Sequence, residues 1–216
     1  MGLKESGLRG SLRSVSTRVV AIPDSAVLIP EENDLTNFDG PTSDHEIIDT
    51  SPASEFTGLA WNVKGEGNTV ISKSGLDNYP TRGDTFHTKF YLGNSDDVAQ
   101  AVFNGQDPDN YHIVEIDVEN DRIRILTVEN GSPSSLSESN FTIPIEDILT
   151  LEGSWATNDE FVATLYDGSE SELGSVSETI NPFENGSEVE TGIGHRGFNR
   201  GGNLLQFDWL NEPFNP

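Results

Sequence analysis

Short runs of β-forming residues separated by turn residues restrict the fold of this chain more than any other feature of its sequence. From residue 56 onward, β-branched, aromatic and aliphatic residues cluster in runs of six to nine, and Gly, Asn and Asp mark the breaks between them. Such regular spacing is typical of an all-β sandwich or barrel. The pattern predicts helix only as a turn or two within residues 143–153. The predicted strands lie within residues 56–61, 68–73, 84–92, 97–104, 111–119, 122–129, 160–168, 172–179 and 203–210.

One antiparallel hairpin is predicted in detail, with Asn120 and Asp121 as a two-residue turn. This register places both following arginines opposite carboxylates and collects the apolar residues on the other face. One face of the hairpin is therefore expected to be apolar and the other charged. The predicted pairs are Glu119 with Arg122, Asp117 with Arg124, Val118 with Ile123 and Ile116 with Ile125.

The chain has an ordinary number of charged residues but an unusually large excess of negative charge. Charged residues make up 23% of the sequence, but 37 are acidic and 12 are basic, so the net charge is −25. A nucleic-acid-binding surface needs a basic patch, and the composition therefore argues against nucleic acid as a partner. Repulsion among so many carboxylates destabilises a compact chain in dilute buffer, and high salt screens it. The composition predicts a protein of an extreme halophile, or of a virus of one, with a fold that salt stabilises.

The N-terminal region differs chemically from the rest. Residues 1–22 contain four basic residues and one acidic residue, which predicts an arm, extended or a broken helix, that docks on an acidic neighbouring subunit. Residues 23–55 are rich in proline and acidic residues, as in an extended spacer. The β-rich domain spans 56–212, and 213–216 form a tail. The arm residues expected to dock are Leu8, Arg9, Leu12, Arg13 and Arg18.

Export and membrane insertion are not expected from the sequence. It has no apolar run of 18 residues, and its first ten residues lack the apolar core of a signal peptide. It has no cysteine either, so we expect neither disulfides nor thiolate metal sites.

Three segments of the chain carry a family resemblance: NTVISKSGLDNYPTRGDTF (68–86), GQDPDNYHIVEIDVENDRIRI (105–125) and GIGHRGFNRGGNLLQFDWL (192–210). Through them the part from Gly58 to Leu210 resembles the concanavalin A-like, laminin-G-like jelly rolls of haloarchaeal and haloarchaeal-virus proteins. The opening LKESGLRGSLRSVST is similar to the start of virion proteins of tailed haloarchaeal viruses. The resemblance implies an antiparallel jelly-roll sandwich with an extended N-terminal arm, displayed on a capsid turret, spike or tail fibre. It also implies carbohydrate binding, although many such domains are purely structural.

Sugar binding calls for aromatic platforms beside polar side chains on loops, and three stretches offer this chemistry. Two are Asp-Asn-Tyr triplets, and the third is the glycine-rich stretch 194–200, which adds cationic donors. The alternative is that the tyrosines cap the core and the glycine-rich stretch is only a turn. The candidate sugar-binding residues are Asp77, Asn78, Tyr79, Asp109, Asn110, Tyr111, His195 and Arg196.

A calcium site is a second candidate, because Asp107, Asp109 and Asn110 place hard oxygen ligands on one loop. Asp and Asn are also ordinary turn formers, and such clusters arise by chance in so acidic a chain. No other metal or cofactor is expected.

An enzymatic alternative rests on Glu115-Ile116-Asp117-Val118-Glu119, which looks like the E-I-D-x-E strand of laminarinase-type glycoside hydrolases. The resemblance would make Glu115 the nucleophile and Glu119 the acid/base. Retaining hydrolysis needs carboxyl groups about 5–5.5 Å apart, whereas residues four apart on a strand are separated by about 13 Å. The arginines of the hairpin also argue for a structural role.

The sequence therefore favours a non-enzymatic virion surface protein, made in the host cytoplasm, that recognises a host-surface glycan. Its arm would bind other virion subunits, and weak single sites would act together in a homo-oligomer, a trimer or pentamer. The alternatives are the β-glycan hydrolase and an exported haloarchaeal cell-surface lectin.

Overall fold

The computed structural model describes residues 38–39, 43, 45–49, 59–63, 70–72, 81–93, 95, 98–186, 188–189, 192–198 and 204–208. Within them the chain forms sixteen β-strands, and no helix there is long and apolar enough to cross a membrane. The strands are β1 (Phe38–Asp39), β2 (His45–Asp49), β3 (Leu59–Val63), β4 (Val70–Ser72), β5 (Thr85–Tyr91), β6 (Val98–Asp107), β7 (Asn110–Asp117), β8 (Arg122–Glu129), β9 (Ser132–Asn140), β10 (Ile148–Trp155), β11 (Glu160–Tyr166), β12 (Glu172–Thr179), β13 (Glu184–Asn185), β14 (Glu188–Val189), β15 (Gly192–Phe198) and β16 (Leu204–Asp208).

Fourteen of these strands form two seven-stranded antiparallel sheets. The front sheet has the order β1-β4-β15-β6-β7-β8-β9, and the back sheet has the order β12-β11-β10-β5-β16-β3-β2. The remaining strands, β13 and β14, pair with each other. The predicted antiparallel β-sandwich is confirmed, and the predicted arm and the tail at 213–216 lie outside the described residues.

The core lies between the two sheets and is built around aromatic rings from both. Phe103 of β6 stacks on Phe161 of β11 with ring centroids 4.1 Å apart, and the ring of Trp155 meets Phe103 edge-on at 6.1 Å. The ring centroids of Phe86 of β5 and Phe161 are 6.0 Å apart. The predicted apolar, inward face of the hairpin is confirmed. Ile116, Val118, Ile123 and Ile125 are all buried in this cluster.

Some elements differ from those expected. The predicted helical turn at 143–153 is wrong, because residues 148–155 form β10 between β5 and β11. Its residues alternate, with Leu149 and Leu151 in the core and Thr150 on the outer face, which suits a strand covered on one side. Strands β9 and β15 were not predicted. Two short strands, β1 and β2, lie inside the predicted spacer and pair with β4 and β3.

A buried histidine ties the segment before β13 to the front sheet. The His112 ring lies between Phe103 and Phe183, with ring centroids 5.6 and 5.0 Å away. Its Nδ1 lies 3.0 Å from Oδ1 of Asn104. The same oxygen accepts the backbone N–H of Phe183, and the Asn104 amide donates to the carbonyl oxygen of Phe183. Because Oδ1 can only accept, Nδ1 of His112 carries the proton.

Acid is expected to destabilise the protein through His112. Burial lowers the pKa of His112 from 6.5 to about 4. Between these values the unfolded chain binds a proton that the folded chain does not, so stability falls as the pH drops from 6.5 towards 4. The loss attributable to this residue is about 2–3 kcal/mol. Urea unfolding of the wild type and of His112→Gln at pH 7 and pH 4.5 measures it.

The Gln variant should lose less stability than the wild type over this interval. Phe183→Leu is the matched control, because it loosens the same cluster without removing the titrating group. It should keep the wild-type pH dependence. An equal pH dependence in the wild type and His112→Gln would contradict the assignment.

Candidate functional site

A row of ionisable side chains lies on the outer face of the front sheet, which points away from the core. In β7, Val114 and Ile116 belong to the core cluster, so alternation puts Glu115 and Asp117 on the outer face. Neighbouring strands add polar residues in register with them. We call this group the ion-paired face; it comprises Gln100 of β6, Glu115 and Asp117 of β7, Arg122 and Arg124 of β8, and Glu138 of β9.

The turn between β7 and β8 determines which of these residues meet. It has four residues, Val118 to Asp121, and the N–H of Asp121 donates to the carbonyl oxygen of Val118 at 3.2 Å. Asp121 adopts a left-handed φ of 50°. The Asp117 carboxylate accepts hydrogen bonds from the backbone N–H and the side chain of Asn120, which stabilises this longer turn.

The predicted two-residue turn and its register are therefore wrong by two residues. A shift of two keeps every side chain on its predicted face, so the division into an apolar and a charged face is correct although the partners change. The observed pairs are Asp117 with Arg122, Glu115 with Arg124, Ile116 with Ile123 and Val114 with Ile125.

Both arginines lie against carboxylates of β7. Nε and Nη2 of Arg122 lie 2.9 and 2.8 Å from Oδ2 of Asp117, and Nη1 lies 3.5 Å from Oε2 of Glu138. Arg124 donates to Oε1 of Glu115 through Nε at 2.7 Å and also through Nη2. The Gln100 amide donates to the other oxygen of Glu115. The buried carboxylates are thus paired and hydrogen-bonded, as buried charges require.

Exposure separates the face into a buried layer and an accessible layer. Glu115 and Asp117 are only 4% and 3% exposed. The side chains above them are more open, at 21% for Arg124, 25% for Arg122 and 48% for Glu138. Nη1 of Arg124 has no hydrogen-bond partner among the described residues. A molecule approaching this face meets two immobilised guanidinium groups and one carboxylate.

The accessible layer is confined to β8 and β9. The other half of the same outer face carries an apolar cluster that is almost completely buried, and Gln100 is only 3% exposed. Within the part of the chain that the structure describes, Oε1 of Gln100 has no hydrogen-bond partner. The apolar cluster consists of Val102, Tyr111, Ile113, Leu126 and Val128.

The predicted sugar-binding triplet at 109–111 serves mainly to hold two turns together. Nδ2 of Asn110 donates to Asp107, and its Oδ1 accepts the backbone N–H of Asn130. Tyr111 is buried in the apolar cluster, whereas Asp109 is exposed. The structure does not bring these residues together as an open aromatic platform.

The same geometry bears on the predicted calcium site. The Asp107 carboxylate accepts hydrogen bonds from the Asp109 backbone and the Asn110 side chain. No group of three or more His, Cys, Asp or Glu side chains in the described part of the chain could hold a metal ion. That search does not include asparagine, so calcium binding at Asp107, Asp109 and Asn110 stays a prediction, and the contacts described here are those that stabilise the turn.

The other predicted residues lie on a strand or beyond the described ranges. His195 and Arg196 lie in β15, not in a loop at the rim. Arg196 is opposite Gln100 in the ladder, and His195 is opposite Ala101. Asp77, Asn78 and Tyr79, and the arm residues Leu8, Arg9, Leu12, Arg13 and Arg18, lie outside the described residues.

The two glutamates of the hydrolase alternative occupy different environments. Glu115 is buried and bound by Arg124 and Gln100, whereas Glu119 is exposed in the turn that follows β7. Both carboxylate oxygens of Glu115 accept hydrogen bonds from neighbouring side chains and the residue is only 4% exposed, which does not suit a nucleophile that must reach a sugar.

Gln100 and Glu138 were not among the residues expected to be functional. Both become neighbours of the arginines only through sheet order, because β6 and β9 flank the β7–β8 hairpin. The signal in the sequence was the polar Gln100 between Ala99 and Ala101, which marks an outward position in an otherwise buried strand.

This chain is similar to known proteins in structure but not in sequence. No protein-family model matches the sequence, and no curated protein sequence matches it significantly.

Solved structures share its architecture at low sequence identity. A carbohydrate-binding module, CBM66 from Bacillus subtilis, is 12% identical with a TM-score of 0.51, and the match covers 80% of this chain and 92% of that one. A protein of unknown function from Shewanella oneidensis MR-1 is 12% identical with a TM-score of 0.52, covering 88% and 87%. A Bacillus subtilis protein with a galectin-like fold is 9% identical with a TM-score of 0.50, covering 85% and 94%. These similarities do not bear on the predicted setting in a virus particle. They show that the fold of this chain is a galectin-like β-sandwich jelly roll.

Proposed function

We propose that this protein is a non-enzymatic glycan-binding module whose sugar site is the accessible layer of the ion-paired face. The observation that carries the proposal is the arrangement of Arg122 and Arg124, which lie against buried carboxylates with 25% and 21% of their side chains exposed. Hydroxyl groups both donate and accept hydrogen bonds, and this surface offers guanidinium donors beside the Glu138 acceptor.

Pre-organisation supports this assignment. Asp117 and Glu115 hold the two guanidinium groups in place, so little side-chain entropy is lost when a ligand binds. One of the solved structures with this fold is described as a carbohydrate-binding module. A single site of this kind binds weakly, and several copies acting together supply useful adhesion.

Catalysis has less support than binding. Glu115, the nucleophile of the hydrolase alternative, is bound by Arg124, and Glu119 lies beyond the end of the strand in an exposed turn. Binding without turnover is the function that this geometry supports best.

The setting that we propose is the surface of a haloarchaeal virus particle, on a turret, spike or fibre assembled after synthesis in the host cytoplasm. Its support is in the sequence: the net charge of −25, the similarity of the opening segment to virion proteins and the basic residues of 1–22. The sandwich would face the host surface as part of a homo-oligomer, a trimer or pentamer.

Arg124→Lys should weaken glycan binding about tenfold, because it keeps the positive charge and removes the planar set of donors. Titration calorimetry with glycans found on an array, in molar KCl, measures the change. Arg82→Lys is the matched control, since Arg82 also forms ion pairs, with Asp159 and Glu184, and is 31% exposed. The proposal fails if no glycan binds, or if both variants bind like the wild type.

Deleting residues 1–22 should leave the folded sandwich and its glycan affinity intact and prevent incorporation into particles. The reason is that the net charge of the arm is opposite to that of the remaining chain, in which 36 acidic residues face eight basic ones. Particles assembled with the truncated and the full-length chain, and analysed for subunit content, test this. Equal incorporation would remove the docking role of the arm.

A further inference from the structure

We infer that the ion-paired face selects uncharged glycans and that Glu138 is the residue that excludes acidic ones; this inference rests on the proposed glycan binding. The face contains three carboxylates and two guanidinium groups, with Arg122 against Asp117 and Glu138 and Arg124 against Glu115, so it carries a net charge of −1 in spite of its arginines.

Each arginine already binds a buried carboxylate through its Nε and Nη2 atoms. Two nitrogens of Arg122 contact Asp117, and its third lies 3.5 Å from Glu138. Two nitrogens of Arg124 contact Glu115. A sugar carboxylate or sulfate could pair with Nε and Nη2 of either guanidinium only by drawing it away from a buried carboxylate, and an unpaired buried charge is strongly unfavourable.

Glu138 occupies the place where a ligand charge would have to approach. It lies opposite Arg124 in the β8–β9 ladder and contacts Arg122, so it stands beside both guanidinium groups. Its side chain is 48% exposed, the most open of the ion-paired side chains on this face. An anionic sugar reaching for the arginines therefore meets a like charge at close range.

An uncharged sugar meets no such obstacle. A hydroxyl group can accept from Nη1 of Arg124, which has no partner among the described residues, while a neighbouring hydroxyl donates to Glu138. Neither contact disturbs the buried ion pairs. The ligand class that fits is therefore a neutral oligosaccharide with adjacent hydroxyl groups, without uronate or sulfate.

The test compares each oligosaccharide with its own acid. Laminari-, cello- and galacto-oligosaccharides are offered in neutral form and as the uronates made by oxidising their C6 hydroxyl groups. We expect the best neutral ligand to bind the full-length protein about tenfold more tightly than its uronate. The preference should persist in 1 M KCl, which screens charges beyond about 3 Å but not contacts.

Glu138→Gln should reduce the preference to less than about threefold, because it removes the charge and keeps an acceptor oxygen. Glu160→Gln, the same change at an exposed position on β11 of the back sheet, should leave it unchanged. Tighter binding of the uronate, a preference that disappears in 1 M KCl or an unaltered preference in Glu138→Gln would each overturn the inference. Absence of binding by every neutral form would instead overturn the proposed function, and this inference with it.

Discussion

Replacing Gly153 by valine is expected to abolish cooperative folding, and replacing it by alanine to lower the free energy of unfolding by about 1–3 kcal/mol. A Cβ at this position would lie 2.4 Å from Cζ and 2.6 Å from Cε1 of Phe86, and 3.0 Å from Cζ of Phe161. A Cβ essentially never lies within 3.0 Å of a carbon to which it is not bonded, so the Phe86 ring would have to move and the Phe161 ring would be crowded.

The rings have little room to do so. Phe161 is stacked on Phe103 with centroids 4.1 Å apart, and Phe86 lies 6.1 Å from the same Phe103 ring. Gly153 is also opposite both Phe86 and Ala163 in the back sheet. The Phe86 and Phe161 rings therefore pack directly against the backbone of β10 at this position. The two methyl groups of valine add to an overlap that a single Cβ already creates.

Ser154→Val is the matched control, because Ser154 is the next residue of the same strand and faces outward. It should unfold like the wild type in urea, with a similar midpoint and near-ultraviolet circular dichroism. The double variant Phe86→Leu/Gly153→Ala should lose less free energy of unfolding than the two single variants lose together, because leucine at position 86 leaves room for the new Cβ. Wild-type stability of Gly153→Ala would show that the core is looser than described.

Strands with strong alternation were predictable from the sequence. In β11 the apolar residues Phe161, Ala163 and Leu165 recur at every second position, and in β5 Phe86 and Phe90 lie on the same face on either side of Thr88; all five apolar residues are in the core cluster. The two-residue period of the sequence was sufficient to assign these side chains to the inner face of their strands. Local patterning was sufficient because each of these strands has one face on the core.

Strand β9 was missed because it has almost no apolar signal. It is an edge strand of mostly exposed serines, and Leu136 is its only large apolar residue. A local turn signal was present nevertheless. Asn130 and Gly131, with φ of 50° and 75°, join β8 to β9 as an Asn-Gly hairpin turn.

The sequence around strand β10 was predicted to form a helical turn because its pattern of apolar residues is compatible with both a helix and a strand. Apolar residues at 143, 145, 148, 149 and 151 fit a short helix as well as a strand. Pairing with β5 and β11 decides in favour of the strand, and no local pattern reports those partners.

The candidate site was predictable only in part, for a similar reason. Opposite charges on one hairpin indicated ion pairing, and this is confirmed. The identity of the partners depended on the turn, where Asp117 accepts hydrogen bonds from Asn120 and lengthens the loop by two residues. Glu138 reaches the arginines from a strand that was itself missed.

Arg124→Met is expected to destabilise the protein by about 3–5 kcal/mol, because it leaves the Glu115 carboxylate buried without its counter-ion. Glu115 is 4% exposed, and of its partners among the described residues only the Gln100 amide remains after the change. Urea unfolding at neutral pH measures the loss.

The partners are not equivalent, and this asymmetry distinguishes a buried ion pair from an ordinary surface salt bridge. Glu115→Gln removes the buried charge and leaves Arg124, which is 21% exposed, free to turn towards water. It should therefore cost much less than Arg124→Met, and the double variant should recover most of the stability lost in Arg124→Met. A surface pair would give small, similar losses for both single changes. If that is observed, Glu115 is less desolvated than its burial indicates, and the two guanidinium groups are not held firmly enough to form a prepared sugar site.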